Sequence, residues 1–237
     1  MLKAHFTDIA KAPDSTDTDW TTPRTHARPL ADAYAWEDRR LAAMRAGLAR
    51  PLHYGWVPQT SLSISRSESR RLHLDTLAFD AEPVAIRPTG GTVVPQGPGT
   101  LNITLFTHHA RHPGIRPFYE ALCAALQQGF ATLGMDTTVG PVAGSFCDGD
   151  YNLVLDGLKL VGTAQRWTTG PGGSSIGQHH CVVMTGGDPV QLCARTDALY
   201  RAANLPDRAD PSVHSARYID TAALMAALDA PLKSILT

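Results

Sequence analysis

The stretch from Gly144 to Arg166 constrains this chain more than any other. Tyr151, Leu153 and Leu155 alternate with Asn152, Val154 and Asp156, a pattern that specifies a strand. Asp156-Gly157 is a two-residue hairpin signal, so the chain must turn back on itself there. The return strand, Leu158 to Ala164, carries one cation, Lys159. Upstream, Gly144, Ser145 and Asp148-Gly149 surround a single cysteine, Cys147. The segment therefore presents one thiol, one ammonium and a Gly162-Thr163-Ala164 run whose backbone can approach a ligand closely.

The elements around this hairpin follow from periodicity and punctuation. Residues 1–28 are polar and broken by Pro13 and Pro23, which predicts a flexible extension, with a clasp through Trp20 as the alternative. Leu30, Ala33, Tyr34, Leu41 and Met44 recur at helical spacing, with Asp32, Glu37, Asp38, Arg39 and Arg40 mostly off that stripe. His53 to Val57 and Thr60 to Arg66 read as strands, and Arg70 to Phe79 as a weak helix of mixed period. Val84 to Arg87, Thr92 to Val94 and Leu101 to Phe106 are further strands. In the last of these Leu101, Ile103 and Leu105 share one face, and Asn102 and Thr104 the other. Pro113 to Leu133 is an amphipathic helix with the stripe Phe118, Leu122, Ala125, Leu126 and Phe130, stopped by Gly134. Thr137 to Val142 leads as a strand into the hairpin. Trp167 to Gln178, rich in Gly and Ser, reads as a loop long enough to be a mobile cover. His180 to Met184 is a strand; Pro189 to Tyr200 and Thr221 to Leu228 are helices. The sum is an α+β domain over residues 29–237, with a mixed, mostly antiparallel sheet packed with helices.

Composition excludes several function classes. A net charge of -1 leaves no excess of Lys and Arg to neutralise phosphates, so no nucleic-acid partner is expected. No apolar run reaches the length of a membrane span and no signal-peptide core follows Met1, so a cytoplasmic protein without a membrane partner is expected. Cys123, Cys147, Cys181 and Cys193 show no CxxC spacing, which argues against a zinc ribbon; no metal site is expected.

Three constellations carry candidate chemistry. Arg87-Pro-Thr-Gly90-Gly91-Thr92 sets a cation beside two glycines, suited to a phosphate or carboxylate, or simply a tight turn with a surface arginine. It matches neither GxxxxGK[ST] nor GxGxxG. Cys147 in its turn-rich loop is a candidate nucleophile whose thiolate a nearby Lys159 would favour; a buried structural cysteine is the alternative. His179 and His180 are adjacent in a strand and face opposite ways, so at most one faces a site. His108, His109 and His112 cluster at a strand-to-helix loop, as a weak metal site or a solvated turn.

In this order the blocks resemble the biotin/lipoate protein ligase superfamily. Arg87-Pro-Thr-Gly-Gly-Thr-Val-Val is similar to that family's Arg-x-x-Gly-Gly-Gly-Ala-Val loop, with Asn102 in its Gly-x-x-Asn strand. Asn152 to Arg166 resembles the Asn-Asp-(apolar)-x-x-x-Gly-x-Lys-(apolar)-Gly-x-Ala-x-Arg block with Lys159 at the lysine, and His179-His180-Cys181-Val-Val-Met resembles His-His-Gly-x-Leu-Leu. The departures are Thr92 for the third glycine, Gln96 for a histidine and Cys181 for a glycine. The resemblance implies a class II biotin/lipoyl synthetase-like catalytic domain. Gly144 to Leu153 most resembles the cysteine-dependent branch of octanoyltransferases and octanoyl/lipoyl amidotransferases.

That branch implies Cys147 as nucleophile and Lys159 polarising the acyl carbonyl. It implies Arg87, Gly90, Gly91, Thr92, Val93, Val94, Pro95, Asn152, Gly162, Thr163, Ala164 and His180 as acyl- or nucleotide-binding positions, with Ser63, Val93 and Thr163 along an acyl tunnel. The implied reaction moves an octanoyl or lipoyl group to a lysine of a lipoyl domain, from a 2-oxoacid dehydrogenase complex or the glycine-cleavage H protein, with an acyl carrier as a donor and no tightly bound cofactor. The alternatives are a lipoate–protein ligase using ATP and Mg through an acyl-adenylate, and a non-catalytic acyl- or lipoyl-domain-binding protein.

Overall fold

A computed structural model describes residues 24–237 of the chain. Seven strands form the main sheet in the order β1-β2-β6-β10-β9-β8-β7. They are β1 (Arg24–Arg28), β2 (Leu52–Pro58), β6 (Thr100–His109), β7 (Thr138–Gly140), β8 (Asn152–Leu155), β9 (Leu158–Thr169) and β10 (Ser175–Met184). Every pairing is antiparallel except β1 with β2. A second sheet, in the order β4-β3-β5, joins β3 (Ser61–Ser65), β4 (Val84–Arg87) and β5 (Val94–Gln96).

The alternation of β6 decides how the main sheet is used. Leu101, Ile103 and Leu105 are fully buried under α3 (Ile115–Thr132) and α5 (Thr221–Lys233), together with Phe118, Leu122, Leu126, Phe130 and Leu228. Burial of each such side chain stabilises the fold by about 1.5–3 kcal/mol. The other face of β6 carries Thr100, Asn102 and Thr104, and this polar face is where the cavity lies. The α1 helix (Leu30–Arg45) packs there through Leu30, Ala33, Tyr34 and Leu41, against Tyr54, Trp56 and Phe106. The small sheet is backed by α2 (Arg66–Arg71) and α4 (Pro189–Ala202), with Leu62, Ile64, Leu72, Val93 and Leu199 in one cluster.

Four expectations are corrected. Of the flexible extension expected over residues 1–28, Arg24–Arg28 form an edge strand beside β2 instead; the rest of it, with Trp20, lies outside the described residues. The helix expected at Arg70 to Phe79 runs instead over Arg66–Arg71, where the Ser65 hydroxyl caps it by accepting from Glu68 N–H at 3.1 Å. Leu72 and the partly buried Leu74, Leu77 and Phe79 meet the small-sheet cluster without a helical stripe. The Gly- and Ser-rich cover is mostly strand: β9 continues to Thr169, a short 3-10 turn (Pro171–Gly173) follows, and β10 starts at Ser175. Polar residues on a paired strand had looked like loop. Glu37, assigned off the α1 stripe, is 0% exposed and sits on it. Among the described residues no helix is long and apolar enough to cross a membrane.

Candidate active site

The hairpin forms as its pattern requires. Asp156 and Gly157 take φ of 52° and 80°, the left-handed pair a tight two-residue turn needs. Just before it, Cys147 has φ 49°, a left-handed conformation uncommon for a residue with a side chain. Several interactions hold it there. Lys159 Nζ donates to the carbonyls of Phe146 (2.7 Å) and Cys147 (2.8 Å), and lies 3.4 Å from Ser145 Oγ. Asp148 Oδ1 accepts from Val142 N–H, Gly149 N–H and Asn152 Nδ2, each at 2.8 Å. Phe146 N–H donates to His214 Nε2 at 3.1 Å, and the His214 ring stacks on Phe146.

The sulfur itself faces donors from the Arg87 loop. Thr92 N–H donates to Cys147 Sγ at 3.3 Å, and Arg87 Nη2 lies 3.6 Å away. Gly91 makes this approach feasible. Its φ is +100°, and a Cβ there would lie 2.5 Å from the sulfur and 2.6 Å from Arg87 Nη2. Of the four cysteines, only Cys147 is not buried. Burial pushes the Cys123 thiol up to about 12 and Cys193 likewise to about 12, with Asp197 and Asp210 adding to the latter; burial raises Cys181 too. Those three are inert interior thiols.

Lys159 is 2% exposed, and burial lowers its pKa to about 8 against the opposing pull of Cys147 and Asp148, with Arg87 pushing the same way as burial. His214 is lowered to about 4, chiefly by burial. It is therefore neutral near pH 7, with Nδ1–H donating to the Asp210 carbonyl at 2.8 Å and Nε2 free to accept from Phe146. Its segment lies beside Lys159 through a bridge between the two residues and Ser215 N–H to Lys159 O at 2.9 Å.

A cavity opens beside Cys147 and Lys159. Gly162, Thr163, Ala164, His180, Val94, Arg87 and Ser63 line it. Val93 does not: it is 1% exposed and packs into the small-sheet cluster. Pro95 pairs with Leu62 within that sheet, Gly90 supplies a carbonyl to Arg87, and Asn152 braces the cysteine loop through Asp148 and Gly149 O. Arg87 differs from the free phosphate-binding cation expected of it. Its donors reach the carbonyls of Ser63, Gly90 and Thr92 and the Ser63 hydroxyl, so the guanidinium shapes the loop.

His180 faces the cavity, whereas His179 stacks on Phe118 in the opposite layer. Both His180 nitrogens are engaged, Nε2 with Glu37 Oε2 at 2.8 Å and Nδ1 with Thr89 Oγ1 at 2.9 Å. Glu37 also accepts from Tyr54 OH, Thr104 Oγ1 and Gln178 Nε2. Burial works to raise the Glu37 pKa, but His180 and these donors outweigh it, so the carboxyl is held ionised below its ordinary value. His108, His109 and His112 make separate contacts with Ser174, Phe118 and Gly114, and no group of three metal-ligating side chains occurs among the described residues.

Sequence reasoning missed Glu37, Asp148, Asp210 and His214. Glu37 did carry a signal, since it falls three residues after Tyr34 and four before Leu41 on the apolar stripe. Asp148, four residues before Asn152, is a turn residue of the kind that caps its own backbone. Nothing local marks His214.

Residues 29–215 match the family model of the lipoyl protein ligase A/B catalytic domain. An uncharacterized protein of Cupriavidus necator, H16_B0148, is 34% identical over 87% of this chain and 82% of its own length. An octanoyl-[GcvH]:protein N-octanoyltransferase of Kyrpidia tusciae is 37% identical over 48% of this chain and 41% of its own length. Among solved structures, the putative lipoate protein ligase Ta0514 of T. acidophilum, with bound lipoic acid, superposes with a TM-score of 0.61 over 86% of this chain and 80% of that one, at 16% identity, a likeness of fold. The chain belongs to the lipoyl protein ligase A/B catalytic-domain family.

Proposed function

We propose that this protein transfers an octanoyl or lipoyl group to a lysine of a lipoyl-domain protein, the glycine-cleavage H protein or a 2-oxoacid dehydrogenase subunit, through a thioester on Cys147. The observation that carries the reading is the position of Cys147 Sγ. It is the one half-exposed thiol, at the wall of a largely apolar cavity, on a strained loop pinned by Lys159. Relatives named for octanoyl transfer on GcvH support the choice of acyl group and partner.

Attack of the Cys147 thiolate on the thioester carbonyl of an acyl carrier places negative charge on the carbonyl oxygen, and collapse leaves the acyl group on Cys147 as the carrier's thiolate departs. Two of the three Lys159 N–H bonds are fixed on loop carbonyls; the third, directed at Ser145 Oγ over 3.4 Å, can turn to that oxygen. Thr92 N–H, now 3.3 Å from the sulfur, faces the charge that returns to sulfur when an acceptor amine displaces it. In an adenylate route Arg87 would contact phosphate, and its guanidinium is instead committed to its own loop.

The test is incubation with an octanoyl-loaded carrier protein and no nucleotide, followed by intact mass. An acyl adduct is expected that disappears in Cys147→Ala. Transfer that requires free acid plus ATP and is undiminished by Cys147→Ala would refute the proposal.

A further inference from the structure

The loop that presents donors to Cys147 contains residues that cannot fix its course by themselves. It runs from Arg87, at the end of β4, to Val94, at the start of β5. Gly90 and Gly91 give it wide backbone freedom, and a Cβ on Gly90 would meet nothing within 4 Å. Arg87 grips the loop from its base through the Gly90 and Thr92 carbonyls. Tyr200 OH accepts from Val93 N–H at 3.4 Å at the far end. Between them Thr89, 2% exposed, supplies a third grip just before the two glycines.

That grip leads across the fold to a carboxylate. Thr89 Oγ1 lies 2.9 Å from His180 Nδ1 on β10, and His180 Nε2 lies 2.8 Å from Glu37 Oε2 on α1. An ionised carboxylate only accepts, so the hydrogen between them sits on Nε2 and Nδ1 is left for the Thr89 hydroxyl. Tyr54, Thr104 and Gln178 fix Glu37, and the Tyr34 ring stacks on His180. Carboxylate, imidazole and hydroxyl thus form one buried line ending at the loop. Directly after the glycines, Thr92 N–H meets Cys147 Sγ at 3.3 Å, with Arg87 Nη2 3.6 Å from the same sulfur.

We propose, resting on the acyl-transfer reading above, that Glu37, His180 and Thr89 are positioning residues: through the Thr89 hydroxyl they fix the two-glycine loop so that Thr92 N–H and Arg87 meet the sulfur of Cys147. None of the three makes or breaks a bond during transfer.

The experiment measures two rates on the full chain, alkylation of Cys147 by iodoacetamide and its single-turnover loading from octanoyl-pantetheine, both by intact mass. Thr89→Val, close to threonine in shape, should slow both by about ten-fold, because donors displaced from the sulfur lose their effect. Thr89→Ser, which keeps the hydroxyl, should stay within about two-fold of wild type. Two amides at position 180 separate positioning from stability. Asn sets a polar atom near Nδ1, so it keeps Thr89 and strands Glu37; Gln sets one near Nε2, so it keeps Glu37 and releases Thr89. Both lose the ring against Tyr34. His180→Asn should therefore unfold at lower urea than His180→Gln, yet react about three-fold or more faster in both assays. A merely structural role gives stability and reactivity the same order, and that result overturns the proposal. Thr89→Val as fast as wild type, or Thr89→Ser as slow as Thr89→Val, overturns it as well. Should the His180 variants fail to fold, the Thr89 pair decides alone. Absence of an acyl adduct in the wild type refutes acyl transfer itself, and the alkylation rates then still decide the positioning of the loop.

Discussion

Lys159 couples stability and activity to pH in opposite directions. Its pKa is lowered from 10.5 to about 8 in the fold. At about 1.4 kcal/mol per unit, burying the ammonium rather than the amine costs about 3 kcal/mol. The group is depressed, so its favourable contribution is complete above the unfolded value of 10.5 and lost as pH falls to about 8; between those values the unfolded chain holds the proton that the fold has released. Wild-type stability should therefore rise by about 3 kcal/mol relative to Lys159→Met across that window. With urea slopes of about 1–3 kcal/mol/M, this moves the midpoint difference by about 1 M or more. Loading of Cys147 should fall over the same window, because one unit above its pKa only about a tenth of Lys159 remains charged. Alkylation of the thiol, measured in parallel, corrects for sulfur reactivity. A wild-type to Lys159→Met midpoint difference that stays constant, with loading per reactive thiol flat through the window, would refute the assignment of the ammonium to both roles.

Other substitutions test the remaining supports. Gly91→Ala introduces a Cβ 2.5 Å from the sulfur at φ +100°; it should destabilise by more than about 1 kcal/mol in urea and slow loading by about a hundred-fold. Glu37→Leu strands His180 and three further donors and should cost about 3–5 kcal/mol, read from the same unfolding curves. His214→Phe keeps a ring against Phe146 but leaves its N–H without an acceptor, at about 1–3 kcal/mol, while His214→Gln, whose oxygen replaces Nε2, should restore part of the loading rate. A maleimide should label one thiol in the native protein, and Cys147→Ala should remove that label.

The legible part of this chain was the part with local physics. Alternation in β6 assigned its two faces correctly, and Asp156-Gly157 placed the hairpin, because a period of two and a left-handed turn are written in neighbouring residues. The Lys159 block and the Cys147 loop stood out for the same reason. What stayed hidden was long-range. Trp167 to Gln178 looked like a cover because its polar side chains gave no stripe, yet backbone pairing from Thr169 to Ser175 makes it a closed hairpin end. Arg87 looked free because no local pattern shows that the Ser63 carbonyl comes from the adjacent strand.

The hidden contacts also change how Cys147 and Lys159 relate. Read from sequence, they are a nucleophile and a nearby cation. In the structure the ammonium holds the carbonyl of the cysteine itself, so the strain at φ 49° and the placement of the sulfur depend on the same side chain that the proposal turns toward the substrate oxygen. His214 acts on that arrangement from the other side. It accepts the N–H of Phe146, one residue before the cysteine, and its own segment lies along Lys159. With its pKa lowered from 6.5 to about 4, chiefly by burial, it keeps Nε2 as an acceptor as pH falls through the mildly acidic range; its contribution is complete above 6.5 and lost as pH falls through about 4. Loading should therefore have two limits of different origin, an alkaline one set by the charge on Lys159 and an acid one set by release of the Phe146 N–H. In His214→Gln the oxygen that replaces Nε2 does not titrate, so the acid limit should move to lower pH while the alkaline limit stays in place. A shift of both limits together, or of neither, would show that the two residues do not hold the loop independently.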